Sequence, residues 1–365
     1  MARMEAARRG VTASLAERLV AEIAETGPIS VADYMARCLH DPEDGYYATR
    51  PALGAEGDFI TAPMVSQMFG ELIGLWAVEV WRLMGSPDPF LLVELGPGDG
   101  TLMGDVLRAA RLDAAFVRAM RLILVETSEP LIAKQRTRLA TAATWVASVD
   151  EVPRDAPLIL IANEFLDCLP ARQFLRTDRG WTERRVGVDA KGALTWGLAA
   201  AVKPDALPED AERDVIWEVS PAQAALGAEL GRRAMAQGGC ALLIDYGRDT
   251  PGPGDTLQAL SKHQKVDPLA DPGHADLTVW AGFPAALAAA RAQGASTTAI
   301  LPQGEFLQRL GLVARAHGLA HANPDKAETL ERQVVRLCAP DGMGTLFKAC
   351  AIHALSSAPG FEDEP

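Results

Sequence analysis

The chain is short of several things that would fix its class at once. Five cysteines stand in 365 residues. Cys38, Cys168, Cys240, Cys338 and Cys350 are widely spaced and form no Cys-x-x-Cys pair, which leaves neither a disulfide framework nor a zinc ribbon and points to reduced core thiols. No run of ~18 apolar residues occurs, so no membrane-spanning helix is expected. The N-terminus carries Arg3, Arg8 and Arg9 around Glu5 without the apolar segment of a signal peptide, and a soluble cytoplasmic protein is the expectation. Positive charge is scarce: 35 Lys and Arg face 48 Asp and Glu, a net charge of −13. Phosphate neutralisation needs clustered cations, so nucleic acid is excluded as a general partner and a cationic or neutral ligand fits better. The histidines supply no metal motif either, since His263, His274 and Asp276 lack a recognised ligand spacing. There is no internal repeat.

What the chain does have is Phe90-Leu91-Leu92-Val93-Glu94-Leu95-Gly96-Pro97-Gly98-Asp99-Gly100-Thr101. The apolar run reads as a buried strand that ends in a tight glycine turn, and Leu102, Val106, Leu107 and Ala110 then recur at helical spacing. Strand, glycine loop and helix open a nucleotide-type cofactor site. A dinucleotide fingerprint needs a glycine where Thr101 stands, which counts against a nicotinamide cofactor. No lysine follows to hold a polyphosphate. Bare backbone at Gly96, Gly98 and Gly100 lets a ligand lie against the main chain, and the helix N–H groups suit a carboxylate. Glu94 suits a cation. S-adenosylmethionine carries both a carboxylate and a sulfonium. Glu126, at the end of the second apolar run, stands where an acidic side chain would accept from ribose hydroxyls, although its distance from Gly96 exceeds the roughly 20 residues of a dinucleotide unit.

From residue 90 onward strands and helices alternate, with strands expected at 90–95, 121–126, 144–147, 157–162 and 240–245. This is the pattern of a doubly wound α/β sheet. Residues 1–89 read as a helical N-terminal extension with helices near 12–26, 30–38 and 65–84, and a turn-rich loop from Gly45 to Pro63 that could form a lid. Residues 171–220 read as a β-rich insertion in a domain spanning 90–355. Residues 247–282 show no periodicity. A hairpin of 333–338 with 345–352 is expected to close the sheet, and 356–365 to be disordered. Ligands in such sheets bind beyond the carboxyl ends of the strands, which draws Asn163, Glu164, Asp167, Asp245 and Tyr246 toward the cofactor's reactive end. Methyl transfer asks for an in-line nucleophile, and carboxylates can orient a cationic acceptor for it. His263 is a candidate general base, because imidazole titrates near neutrality.

Gly57-Asp58-Phe59-Ile60-Thr61-Ala62-Pro63, Ser66-Gln67-Met68-Phe69-Gly70-Glu71, Val93-Glu94-Leu95-Gly96-Pro97-Gly98-Asp99-Gly100, Asn163-Glu164-Phe165-Leu166-Asp167, Ile244-Asp245-Tyr246-Gly247 and Pro272-Gly273-His274-Ala275-Asp276-Leu277-Thr278 together resemble the MidA family. The likeness runs from about Pro28 to Cys350. It implies a class I S-adenosylmethionine-dependent methyltransferase fold, Rossmann-like, whose sheet ends in an antiparallel strand. Its mitochondrial members make symmetric dimethylarginine on the 49 kDa subunit of NADH dehydrogenase and support complex I assembly, which makes that subunit the implied partner. Carried over by position, Gly96, Gly98 and Gly100 are the cofactor loop, Glu126 the ribose ligand, and Thr61, Ser66 and Gln67 cofactor neighbours. Asn163, Glu164, Asp167, Asp245 and His263 fall on the substrate side. Asp99 and Val279-Trp280-Ala281-Gly282-Phe283 depart from the family pattern and leave the substrate open. Methylation of another protein or a small amine, or an assembly chaperone with a vestigial cofactor site, stand as alternatives.

Overall fold

The computed structural model describes residues 13–49, 61–200 and 203–361. The 50–60 part of the expected lid lies outside them. Two capped helices come first, α1 (Leu15–Thr26) and α2 (Val31–His40); Ser14 with Glu17, and Ser30 with Asp33, close reciprocal capping boxes. Next comes α3 (Gln67–Leu83), followed by β1 (Phe90–Leu95), α4 (Thr101–Ala110), β2 (Met120–Val125), α5 (Glu129–Arg138), β3 (Ala143–Val146) and β4 (Leu158–Asn163). After the inserted strands the core resumes with α6 (Pro221–Gln237), β5 (Gly239–Arg248), α7 (Phe283–Arg291), α8 (Leu312–Ala322), α9 (Ala327–Cys338) and β6 (Phe347–His353).

The central sheet runs in the order β6, β5, β4, β1, β2, β3. The five strands β1 to β5 are parallel, and β6 is antiparallel to β5. Every residue of β1 and β4 is buried, as continuous apolar runs require when helices cover both faces. α3, α4, α8 and α9 pack on one face and α6 and α7 on the other. On the second face the two helices approach backbone to backbone. A Cβ added at Gly227 would lie 2.1 Å from the Ala286 carbonyl oxygen, and one at Gly231 would lie 2.7 Å from that of Ala290.

A third core lies beside the sheet, where α1 and α2 meet the inserted strands. Arg172–Thr177, Gly180–Val188, Leu194–Ala199 and Ile216–Val219 form an antiparallel sheet that also takes in Ile29–Ser30. The N-terminal region is therefore divided. α1 and α2 belong to this side lobe, whereas α3 is built into the main core.

Three expectations need correction. Residues 333–338 are the last turns of α9, not a strand, because Leu330, Val334 and Leu337 share one helical face turned to the core. The unpatterned 247–282 stretch holds a small sheet of Gln258–Ser261, Gln264–Val266 and Asp276–Thr278. Residues 356–361 are packed rather than disordered: Ala358 is buried, Phe361 stacks on Phe306, and the Trp76 indole donates to the Pro359 carbonyl.

Candidate functional site

At the carboxyl edge of the sheet lies a cavity of about 630 Å³. Neighbouring strands deliver its polar groups in sequence: Glu126 after β2, Glu94 and the glycine loop at the end of β1, and Asn163, Glu164 and Asp167 at and beyond the end of β4. Thr61 and Met64 enter from the segment before α3.

The loop is held in left-handed backbone, with φ of 61° at Gly96, 56° at Gly98 and 82° at Gly100, a region that glycine enters without a Cβ penalty. Gly96 and Gly98 line the cavity, and a Cβ at Gly96 would lie 2.9 Å from the ring of Phe165. Gly100 does not line it and instead forms the N-cap of α4. Its neighbours Asp99 and Thr101 do line the cavity.

One residue ties the loop to Glu126. Gln135 of α5 is fully buried; its amide donates to the Gly98 carbonyl at 2.7 Å and to Glu126 Oε2 at 3.2 Å, and its oxygen accepts from the Trp145 indole at 2.7 Å. Sequence reasoning missed it, since a glutamine on a helix of low amphipathicity carries no signal of burial. Glu126 Oε1 accepts from the amides of Thr127 and Ser128.

Glu94 is 2 % exposed, and its Oε2 has no hydrogen-bond partner. Burial, with Asp99 and Glu126 nearby, pushes its carboxyl up to about 8. Asn163 is equally telling: at 9 % exposure its Oδ1 is also unpartnered. Unsatisfied buried acceptors are costly, and both groups line the cavity, so donors brought by a ligand complete them. A ligand's ammonium supplies the missing donors, and the open loop suits its carboxylate.

Glu164 adopts φ 52° and accepts from the Ala62 amide at 3.0 Å and from the Asn163 side chain at 3.2 Å. Burial raises its carboxyl to about 8 and that of Asp167 to about 6. Asp245, in contrast, does not line the cavity. It is fully buried, and its carboxylate accepts from the amides of Leu166, Asp167 and Tyr246. Its part is to hold the 163–167 loop in place.

Three further assignments are corrected. Ser66 is buried, caps α3 by accepting from the Met68 amide, and donates to Gln333. Gln67 is exposed, and neither residue lines the cavity. His263 sits at the tip of the 258–266 hairpin with φ 60°, exposed and outside the cavity. The imidazole that does line it is His40, and Tyr47 and Asp276 accompany it.

Comparison with known proteins agrees with this geometry. Residues 72–301 match the model of an S-adenosyl-L-methionine-dependent methyltransferase family. The protein arginine methyltransferase NDUFAF7 homolog, mitochondrial, of Drosophila melanogaster is 36 % identical, covering 93 % of this chain and 84 % of its own. The Homo sapiens protein arginine methyltransferase NDUFAF7, mitochondrial, is 34 % identical, covering 95 % and 85 %. A Burkholderia thailandensis protein crystallised with S-adenosyl-homocysteine superposes with a TM-score of 0.82 at 25 % identity, over 96 % of this chain and 92 % of that one. The expectation of a cytoplasmic protein is overturned here, because these animal relatives are named as mitochondrial. No helix among the described residues is long and apolar enough to cross a membrane. By the family match, the extent of the relatives and the cavity at the sheet edge, this chain belongs to the S-adenosyl-L-methionine-dependent methyltransferases.

Proposed function

We propose that this enzyme methylates arginine side chains of a protein acceptor, the NADH dehydrogenase 49 kDa-type subunit, and so supports complex I assembly. The observation that carries the reading is a cavity whose β1 and β2 side suits the methyl donor while its β4 side presents carboxyl groups to a cationic acceptor. The relatives' names point the same way. Gly96, Gly98 and Thr61 would bound the donor, Glu94 and Asn163 would accept its N–H groups, and Glu126 its ribose hydroxyls. S-adenosyl-L-methionine supplies an electrophilic methyl group on a sulfonium. An incoming guanidinium favours the ionised form of Glu164, and Glu164 and Asp167 then fix its plane by charge-assisted hydrogen bonds, so that proximity supplies most of the gain. One proton leaves the acceptor nitrogen as the N–C bond forms. Asp167, which lines the cavity beside Glu164, is the carboxyl group placed to take it.

Incubating the purified enzyme with the purified subunit and S-adenosyl-L-methionine tests the assignment by peptide mass spectrometry. The expected result is an arginine carrying one or two added methyl groups. Methylation confined to another residue type, or none, overturns it.

A further inference from the structure

The turn that follows β4 is fixed residue by residue. The Glu164 amide donates to the Ile244 carbonyl at 2.8 Å, and the Leu166 and Asp167 amides donate to Asp245 Oδ2 at 2.8 and 3.1 Å. The Leu166 carbonyl accepts from the Gln223 side chain at 2.8 Å, and the Asp167 carbonyl from the Val279 amide at 2.9 Å. Glu164 stands in left-handed backbone at φ 52°, which a non-glycine residue keeps only where its surroundings hold it. Within this turn sits Phe165, whose backbone carbonyl accepts from the Cys168 thiol at 3.1 Å. Its side chain is half-buried: it packs on the core of the α6 and α7 face and also lines the cavity. The ring lies against the first glycine of the loop, because a Cβ placed on Gly96 would be 2.9 Å from Cδ2 and 3.5 Å from Cε2.

We propose that Phe165 supplies the aromatic surface that biases the site toward the methyl donor over its demethylated product. This rests on the donor seat described above and not on the identity of the acceptor. The ring joins the two halves of the cavity. It meets Gly96 on the donor side, and its chain neighbours Glu164 and Asp167 carry the carboxyl groups of the acceptor side. A methyl group passing from one half to the other crosses this seam. S-adenosyl-L-methionine brings a positively charged sulfur there, and methyl transfer leaves a neutral thioether. The quadrupole of an aromatic ring attracts a cation, by about three- to tenfold in affinity at a partly desolvated site, and has no such attraction for the thioether. A carboxylate at the same point would hold the acceptor's cation as firmly as the donor's; an uncharged ring does not. Because each residue of the turn is tied down, the ring cannot swing out of the seam.

The experiment measures affinity for S-adenosyl-L-methionine and for S-adenosyl-homocysteine by calorimetry, without acceptor, on wild type, Phe165→Leu and Phe165→Tyr. Leucine keeps apolar bulk and removes the ring; tyrosine keeps the ring. In Phe165→Leu the donor is expected to bind about three- to tenfold more weakly while the product stays within about twofold. Phe165→Tyr is expected to keep the wild-type ratio. Should Phe165→Leu not fold, graded ring fluorination of the phenylalanine at 165 carries the test, since it keeps the shape and weakens the ring's attraction for a cation. Donor affinity then falls with each fluorine, and product affinity does not. Equal weakening of both ligands in Phe165→Leu overturns the proposal by making the ring a packing residue alone, as does an unchanged ratio or a flat fluorination series. A wild type that binds neither ligand overturns this proposal and the donor seat together.

Discussion

Replacing Glu94 by Gln separates the cost of an empty site from the gain of a filled one. The Glu94 carboxyl titrates near 8 in the folded chain against an ordinary 4.5. Because the folded value is raised, the stability tied to its proton is fully present below about 4.5 and is lost as pH rises through about 8. At 1.36 kcal/mol per unit, that interval amounts to about 5 kcal/mol above pH 8, about 3 kcal/mol at pH 7, and less than about 1 kcal/mol at pH 5. Glutamine keeps the shape and cannot ionise. The ligand-free Glu94→Gln protein should therefore match wild type near pH 5 and exceed it increasingly toward pH 8 in denaturant unfolding. Affinity for S-adenosyl-homocysteine, whose ammonium favours the ionised carboxylate, should move oppositely. Wild type should bind more tightly as pH rises toward 8, and the variant should bind weakly with a flatter profile. Parallel stability curves for the two proteins between pH 5 and pH 8 would refute the assignment of an uncompensated buried carboxyl.

Gln135→Leu leaves the Gly98 carbonyl and the Trp145 indole without their partner, so a stability loss of about 1–3 kcal/mol is expected, together with weaker S-adenosyl-homocysteine binding in calorimetry. Arg233→Met strips a fully buried guanidinium from Glu229 and from the carbonyls of Val149 and Val152. Glu229 keeps Arg154 and Arg232, so the loss is chiefly that of the carbonyls left without a donor, about 1–3 kcal/mol, read as a lower unfolding midpoint. His263→Ala, at an exposed hairpin tip, should leave kcat and KM for the subunit unchanged; a large fall in kcat would restore it to the site.

The core was legible because buried parallel strands must be continuous apolar runs, and β1, β2, β4 and β5 each contain such a run, whereas β3, at the end of the sheet, is short and only half-buried. The antiparallel β6 was legible too, but its supposed partner was not. Gln333-Val334-Val335-Arg336-Leu337-Cys338 reads as strand over six residues and as helix only when Leu330 is counted with it, and the longer period prevailed. The strands within 258–278 are three or four residues long and polar, too short for alternation to register. In the site, position along the chain located strand ends but not side-chain direction. Asn163 turns into the cavity, whereas Asp245 turns to the amides behind the loop. Gln135 and Phe165 act through contacts distant in sequence, with Gly98 and Gly96, which only the fold brings together.

The close approach of α6 and α7 bears on how the cavity is held. Gly227 and Gly231 leave no slack between those helices, and Ala222, Ala225, Leu226 and Glu229 of α6 form the wall behind which they are locked. Across the cavity, Thr61 and Met64 belong to a short stretch tied to the β4 loop through the Ala62 amide and Glu164. The two banks are thus held in different ways, one by backbone packed on backbone and the other through the Ala62–Glu164 hydrogen bond. A change at Glu164 therefore reaches the β4 loop and the N-terminal bank together, and residues that precede the sheet share in shaping its cavity.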